Sequence, residues 1–209
     1  SVRRMFLDKL CALCSPLYAR RLAEYKQLVR HRTAFLRQGR SPQVTVLPMV
    51  QLGGWIWANR RRVVDLLAET LLAEHELSPF SVSITLRRQG FVGFQDEKNT
   101  TEEMAAILNA SLERERHAAF PVVGPHRDDL LVSCLGRPAS TALSRGQKRR
   151  VVMAMILAAG RLIEVRMRLK PILLLDDIAA ELDAGGRKML ATALEATGWQ
   201  IFVTGTEDH

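Results

Sequence analysis

A polar turn, Ser144-Arg145-Gly146-Gln147, opens a long apolar segment of helical pattern, and a later run, Ile172-Leu173-Leu174-Leu175, ends in two adjacent carboxylates, Asp176 and Asp177. Ser144 is a natural N-cap. The helix behind it would aim free backbone N–H groups and the positive end of its dipole at an anion such as a nucleotide γ-phosphate. Gly146 would let that backbone approach the phosphate closely. Four consecutive apolar residues predict a strand buried on both faces, as at the centre of a parallel sheet, and ligands of such sheets bind beyond the carboxyl ends of the strands. A carboxylate there can hold Mg²⁺ through water, while its neighbour orients or deprotonates an attacking water. Asp176 is assigned to the metal and Asp177 to the water. Each half alone has an ordinary reading: Ser-x-Gly-Gln as a turn or helix cap, and the acids as solvated strand-end residues. Their occurrence together, in this order, points to ATP chemistry.

With Ala180-Glu181-Leu182-Asp183 a few residues on, the three segments resemble the signature motif, Walker B strand and D-loop of an ABC-type ATPase. The resemblance implies that Ser144, Arg145, Gly146, Gln147 and Asp183 meet ATP, and that Thr204, at the switch position after the last strand, completes the catalytic set with Asp177. No G-x-x-x-x-G-K-[ST] string occurs, and the chain opens on Ser1-Val2-Arg3-Arg4. The expectation is a carboxyl-terminal portion lacking the Walker A segment, inactive by itself as an ATPase.

These residues need a scaffold, and the composition supplies one. The chain has 209 residues, 47% hydrophobic and 25% charged, which is ordinary for a globular protein of one large or two small domains. Its longest uninterrupted apolar run, Val151 to Ala159, falls far short of the roughly 20 residues that span a bilayer, so no membrane partner is expected. Cys11, Cys14 and Cys134 make neither a disulfide framework nor a complete zinc site, and reduced thiols fit a cytoplasmic location. Net charge is +8, unevenly spread: residues 1–62 carry 13 Lys or Arg against 2 Asp or Glu. Clustered positive charge of this kind suits a polyanion, nucleic acid in particular, although a solvated helix face also accounts for it.

Apolar spacing predicts an amphipathic helix over Pro16–Gln38, presenting Arg20, Arg21, Lys26, Arg30, Arg32 and Arg37 on its polar face. A break over Gly39–Pro48 should follow, then a second helix from Val50 to Glu76 carrying Arg60, Arg61 and Arg62, the pair forming an arm-like hairpin. Further expectations are a strand around Val82–Leu86 and a helix to about His117, started by the capping box of Thr100-Thr101-Glu102-Glu103. Strands at Phe120–Val123 and Asp129–Leu135 should flank the turn Gly124-Pro125-His126-Arg127-Asp128, with Gly136-Arg137-Pro138 ending the pair. Helix, strand, helix and strand then alternate from Arg145 to Thr204. The fold class expected is α/β: a partial ABC-type P-loop ATPase head, parallel sheet with flanking helices, over 119–209, and a mainly helical arm or inserted domain with a small strand element over 1–118.

Several segments resemble one family, RecF, bacterial ATPases of DNA replication and repair. Arg3-Arg4-Met5-Phe6-Leu7-Asp8 is similar to the family's R-R-x-F-L-D segment, Tyr25 to Arg32 to its arm helix, and Gly124-Pro125-His126-Arg127-Asp128-Asp129 to its G-P-H-R-D-D run. The resemblance implies ATP-dependent homodimerisation with Mg²⁺, slow hydrolysis, and binding of single-stranded and gapped double-stranded DNA during the DNA-damage (SOS) response. It also implies work with recombination mediator proteins. The arm cations Arg20, Arg21, Lys26, Arg30, Arg37, Arg60, Arg61 and Arg62 are the DNA-binding candidates. Arg145 departs from the usual Gln or Gly, and Thr204 from the His of many transporters. His126 and Arg127 lie either at a DNA-facing or nucleotide-facing edge or in a turn held by an Arg127–Asp128 or Arg127–Asp129 network. A non-catalytic DNA-binding or scaffolding module is the alternative function. A transporter ATPase subunit fits less well, because Ile178-Ala179 stand where a Pro-Thr pair is expected.

Overall fold

The computed structural model of the chain describes residues 1–74, 77, 81–88, 100–176, 182 and 184–205. They fall into two compact units, residues 1–63 with 86–130, and residues 64–85 with 131–209. This differs from the division expected at 118/119, because the long third helix and two strands contribute residues to both units.

The first unit is helical. It contains α1 (Val2–Cys14), α2 (Tyr18–Arg37), the first two-thirds of α3 (Val46–Leu72) and α4 (Thr100–Ala118). Each helix turns one stripe inward: Leu7, Leu10 and Cys11 from α1, Tyr18, Tyr25 and Leu36 from α2, and Met104 and Leu108 from α4. These positions recur at three-, four-, seven- and eleven-residue spacing, the period of one helix face. Met49, Ile56 and Trp57 of α3 complete the core. The break between α2 and α3 contains Gly39 in the left-handed region (φ +66°) and a 3₁₀ turn at Gln43–Thr45. Thr100 is already helical and Glu103 accepts from Arg88 Nη1 at 2.9 Å, so Glu103 pairs with that guanidinium instead of closing a capping box.

The second unit is α/β. Strands β1 (Val82–Arg87), β2 (Asp129–Cys134) and β3 (Arg137–Pro138) form a sheet in that order, β2 and β3 antiparallel. Arg137 and Pro138 thus form a strand where the sequence suggested a terminus, and Phe120–Val123 is irregular because Ala119 at φ +56° and Pro121 interrupt extended pairing. Short α5 (Ala139–Ala142) leads into α6 (Arg145–Met167), followed by β4 (Ile172–Leu175), α7 (Ala184–Glu195) and β5 (Gln200–Val203). Cys134, Ala139, Leu143 and Val151 form a small core beside the first sheet. β4 and β5 pair in parallel, Ile172 opposite Gln200 through Leu175 opposite Val203. Contrary to a strand buried on both faces, Ile172 and Leu174 are 61% and 72% exposed, and Phe202, opposite Leu174, is 51% exposed. Within the described chain one face of this sheet has no covering layer.

Candidate functional site

The register of β4 and β5 brings two candidate residues together. Parallel pairing aligns the carboxyl ends of the strands, and the Thr204 N–H donates to Leu175 O at 2.9 Å. That fixes Thr204 beside Asp176, whose Oδ1 accepts from Thr204 Oγ1 at 2.5 Å. Both residues are exposed. A carboxylate has two oxygens and about four acceptor positions, so one hydroxyl contact leaves Oδ2 open to hydrated Mg²⁺. Asp177 and Asp183 lie outside the described residues, as do Ala180 and Glu181.

Ser144 caps α6 reciprocally: its Oγ accepts from the Gln147 N–H at 3.3 Å, and Gln147 Oε1 accepts from the Ser144 N–H at 2.8 Å. The cap occupies one acceptor of the hydroxyl and leaves its proton available to donate. Among the described residues the N–H groups of Arg145 and Gly146 have no partner, as the first turn of a helix leaves them. Ser144, Arg145 and Gly146 are exposed, and a Cβ on Gly146 would meet nothing within 4 Å. The first two turns hold no acid but four cations, Arg145, Lys148, Arg149 and Arg150. Cations at a helix N-terminus oppose the dipole by some tenths of a kcal/mol each; an anion placed there reverses that sign. The arrangement suits a phosphate.

The arm cations separate into four groups. Lys26, Arg30 and Arg37 are exposed on one face of α2 at four- and seven-residue spacing, with no ion-pair partner among the described residues. Arg20 donates to Glu24 at 3.0 Å and Arg21 lies 3.8 Å from the same carboxylate, which reduces the net charge at that end. Arg62 is exposed and Arg61 half-buried. Arg60 is buried and so presents no charge to a partner. Its Nε donates to Asp8 (3.1 Å) and Tyr18 Oη (3.0 Å), Nη1 to Asp128 Oδ2 (2.7 Å) and Pro125 O (2.7 Å), and Nη2 to Asp8 (2.9 Å). Arg32 is likewise buried rather than on the polar face, paired with Glu115 at 2.6 Å and donating to Pro42 O and Thr45 Oγ1.

The Gly124–Asp129 segment is the other half of the Arg60 network. Asp128 accepts from Arg60 and, at 2.8 Å, from Trp57 Nε1. Burial pushes its carboxyl up to about 6 even though Arg60 and Trp57 pull the other way. Asp129 accepts from Ser1 Oγ at 2.7 Å and from the Arg3 guanidinium; burial opposes ionisation, but these contacts prevail and hold its carboxyl below the ordinary range. His126 Nε2 donates to Pro121 O and Nδ1 accepts from Tyr25 Oη, both at 3.1 Å, which fixes one neutral tautomer. Burial lowers its pKa to about 4. Gly124 sits at φ +117°, where a Cβ would lie 2.3 Å from Tyr25 Oη. Arg127 is exposed and stacks over Phe120 at 5.7 Å; the acids beside it are paired with Arg60 and Arg3, so the Arg127–Asp128 or Arg127–Asp129 network does not form. The segment ties α1, α2 and α3 together. Tyr18 and Trp57 are members the sequence did not single out, and Asp8 entered there only as the last residue of the Arg3–Asp8 string. The advance signal for the two aromatics was a polar tip within otherwise apolar helix faces.

Burial raises the Cys11 thiol to about 12, which keeps it protonated. Among the described residues no helix is long and apolar enough to cross a membrane, and no cluster of three or more His, Cys, Asp or Glu side chains could hold a metal ion.

No protein-family model matches the chain. It is 33% identical over 215 residues to the DNA replication and repair protein RecF of Rhizobium etli (strain CIAT 652), covering 99% of this chain and 57% of that protein. To the protein of the same name from Deinococcus deserti it is 36% identical over 209 residues, covering 99% and 56%. Among solved structures, that of the recombination mediator protein RecF-ATP in the RecFOR pathway superposes with a TM-score of 0.85 at 22% identity, covering 99% of this chain and 57% of that one. The similarity to RecF proteins therefore runs along nearly the whole chain, which spans little more than half the length of those relatives. The fold agrees with the expected α/β class: small parallel and antiparallel sheets with flanking helices, the fold also of that RecF-ATP structure.

Proposed function

We propose that this chain supplies the signature-motif, Walker B and arm portion of an ATP-dependent DNA-binding protein of recombinational repair and replication restart. ATP bound with Mg²⁺ provides the charge that joins two heads and the bond whose hydrolysis releases them. Ser144, with the free N–H groups of Arg145 and Gly146, meets the γ-phosphate of nucleotide held by a second copy. Gln147 holds the Ser144 turn in shape. Asp176 holds the metal through water, Asp177 activates the attacking water, and Asp183 contributes from the D-loop. Thr204 offers the phosphate one hydroxyl hydrogen bond, weaker than a cationic switch residue, and slow hydrolysis follows. Lys26, Arg30 and Arg37, with Arg62, follow the phosphates of gapped or single-strand/double-strand junction DNA. Recombination mediator proteins are the expected protein partners.

The observation that supports this reading most is the N-terminus of α6: capped, exposed, with no acid in its own first turn, and carrying four cations within two turns. At the full length of the relatives, Asp177→Asn keeps the size of the side chain and loses the base, so ATP binding persists while hydrolysis slows by about 10²-fold or more. Hydrolysis at the parent rate would remove Asp177 from the water-activating role.

A further inference from the structure

Between α1 and α2, within the first unit, runs an open groove of about 510 Å³. Met5, Lys9 and Ala12 line it from α1, and Ala19, Ala23 and Lys26 from α2. Each set repeats at three-, four- or seven-residue spacing, so the groove is bounded by two continuous helix faces. Its floor is small and apolar. Alanines at Ala12, Ala19 and Ala23 would let a third helix approach to the roughly 8–10 Å axis separation of packed helices. Met5, 53% exposed, is an adaptable apolar contact at one end.

The charge of the lining is one-sided. Lys9 and Lys26 are exposed and have no ion-pair partner among the described residues. The one acid in the lining is Asp8, which accepts from both Arg60 and Tyr18 and so presents no uncompensated negative charge. Arg4, a third cation of the lining, directs one N–H to Asp128 O at 3.0 Å. A complementary occupant needs an apolar ridge flanked by carboxylates. A nucleic-acid strand satisfies the lysines, but the lining contains no aromatic ring on which a base could stack and leaves the apolar floor against solvent or phosphate. We infer that the groove between α1 and α2 is a docking site for an acidic amphipathic helix of a protein partner, held by helix-in-groove packing with Lys9 and Lys26 pairing its acids. This surface is separate from the ATP and DNA roles proposed above, except that Lys26 serves both.

The test uses the full chain and a fluorescein-labelled helical peptide of about 14 residues, with Leu at every third or fourth position and Glu between them. Anisotropy titration should give micromolar binding, weakened about tenfold by Lys9→Glu and several-fold by Ala23→Gln, which fills the floor. Both positions are exposed, and unchanged thermal melts establish that the variants fold. The same peptide with Gln for Glu should bind at least tenfold more weakly. Equal binding of the two peptides, no binding of the acidic one, or indifference to Lys9→Glu overturns the inference. So does a single-stranded oligonucleotide whose affinity falls as far as the peptide's on both substitutions, since the groove would then hold nucleic acid.

Discussion

Arg60 directs all three of its nitrogens into the protein, and Asp8 and Asp128 depend on it for their charge partner. Removing one member of such a pair leaves buried carboxylates uncompensated. Arg60→Met should therefore destabilise the fold by about 3–5 kcal/mol, whereas Arg62→Met, at an exposed position two residues on, should change stability by less than about 0.5 kcal/mol. Urea denaturation of the two variants checks this; similar midpoints would contradict the burial assigned to Arg60. His126 gives a pH-dependent counterpart. Its pKa is about 4 in the fold against an ordinary 6.5, so its neutral form contributes stability that is complete above pH 6.5 and lost as pH falls toward 4. Asp128 acts oppositely: raised from 3.8 to about 6, it favours the fold in acid, and that contribution fades as pH rises through the same window. His126→Gln keeps a donor and an acceptor without titrating. Relative to this variant, the parent should lose about 3 kcal/mol between pH 6.5 and pH 4. Denaturation midpoints across that range measure the difference, and parallel curves would show that His126 is not buried neutral.

Two glycines of one element, α6, face opposite demands. A Cβ at Gly160 would lie 2.3 Å from the Trp199 ring, which packs on this helix and donates its indole N–H to Glu164 at 2.8 Å. Gly160→Ala should cost about 1–3 kcal/mol through overpacking, more than the gain in helix propensity returns. Gly146 meets open space, so Gly146→Ala should stabilise the helix by up to about 1 kcal/mol. If the α6 N-terminus receives a phosphate from a second copy, the same methyl group should weaken ATP-dependent dimerisation. Thermal melts and sedimentation of both variants separate packing from function, and a stabilised Gly146→Ala protein with unimpaired dimers would exclude a close backbone approach. The position of α6 was legible because Ser144, Gln147 and its long apolar run are local signals. The strands β4 and β5 were legible for the same reason, but the exposure of Ile172 and Leu174 was not. An apolar run states that a strand can be covered on both faces and says nothing of which face this chain covers. The Phe120–Val123 segment shows the converse limit: four extended-pattern residues make no strand when Ala119 turns the backbone before them and Pro121 removes a donor among them.

At the scale of the whole molecule, charge clustering located the arm but did not sort its cations. Arg32 and Arg60 carry the same side chain as Arg30 and Arg62, and only distant acids, Glu115, Asp8 and Asp128, draw the first two inside. No spacing rule within residues 16–76 contains that information, because the partners lie elsewhere in the sequence. The same holds for Gly124–Asp129, whose local string is distinctive while its role as a tie among three helices depends on Tyr25, Trp57 and Arg60. Lys26, Arg30 and Arg37 remain as the exposed row. Neutralising all three to Gln should lower the magnitude of the slope of log DNA affinity against log salt by up to about 3, roughly 0.7–0.9 for each phosphate no longer neutralised, with little change in stability. An unchanged slope would make the row a solvated helix face. The central claim is that the Ser144 turn acts on nucleotide held by a second copy. Its most direct measurement is ATP-dependent sedimentation of Ser144→Arg at the full length of the relatives, run beside nucleotide binding. The bulky cation occupies the helix end where the γ-phosphate must approach and leaves the phosphate loop of the nucleotide-holding copy untouched. The predicted result is a variant that binds ATP like the parent yet sediments as a monomer; a variant that binds ATP and dimerises as readily as the parent would contradict the account.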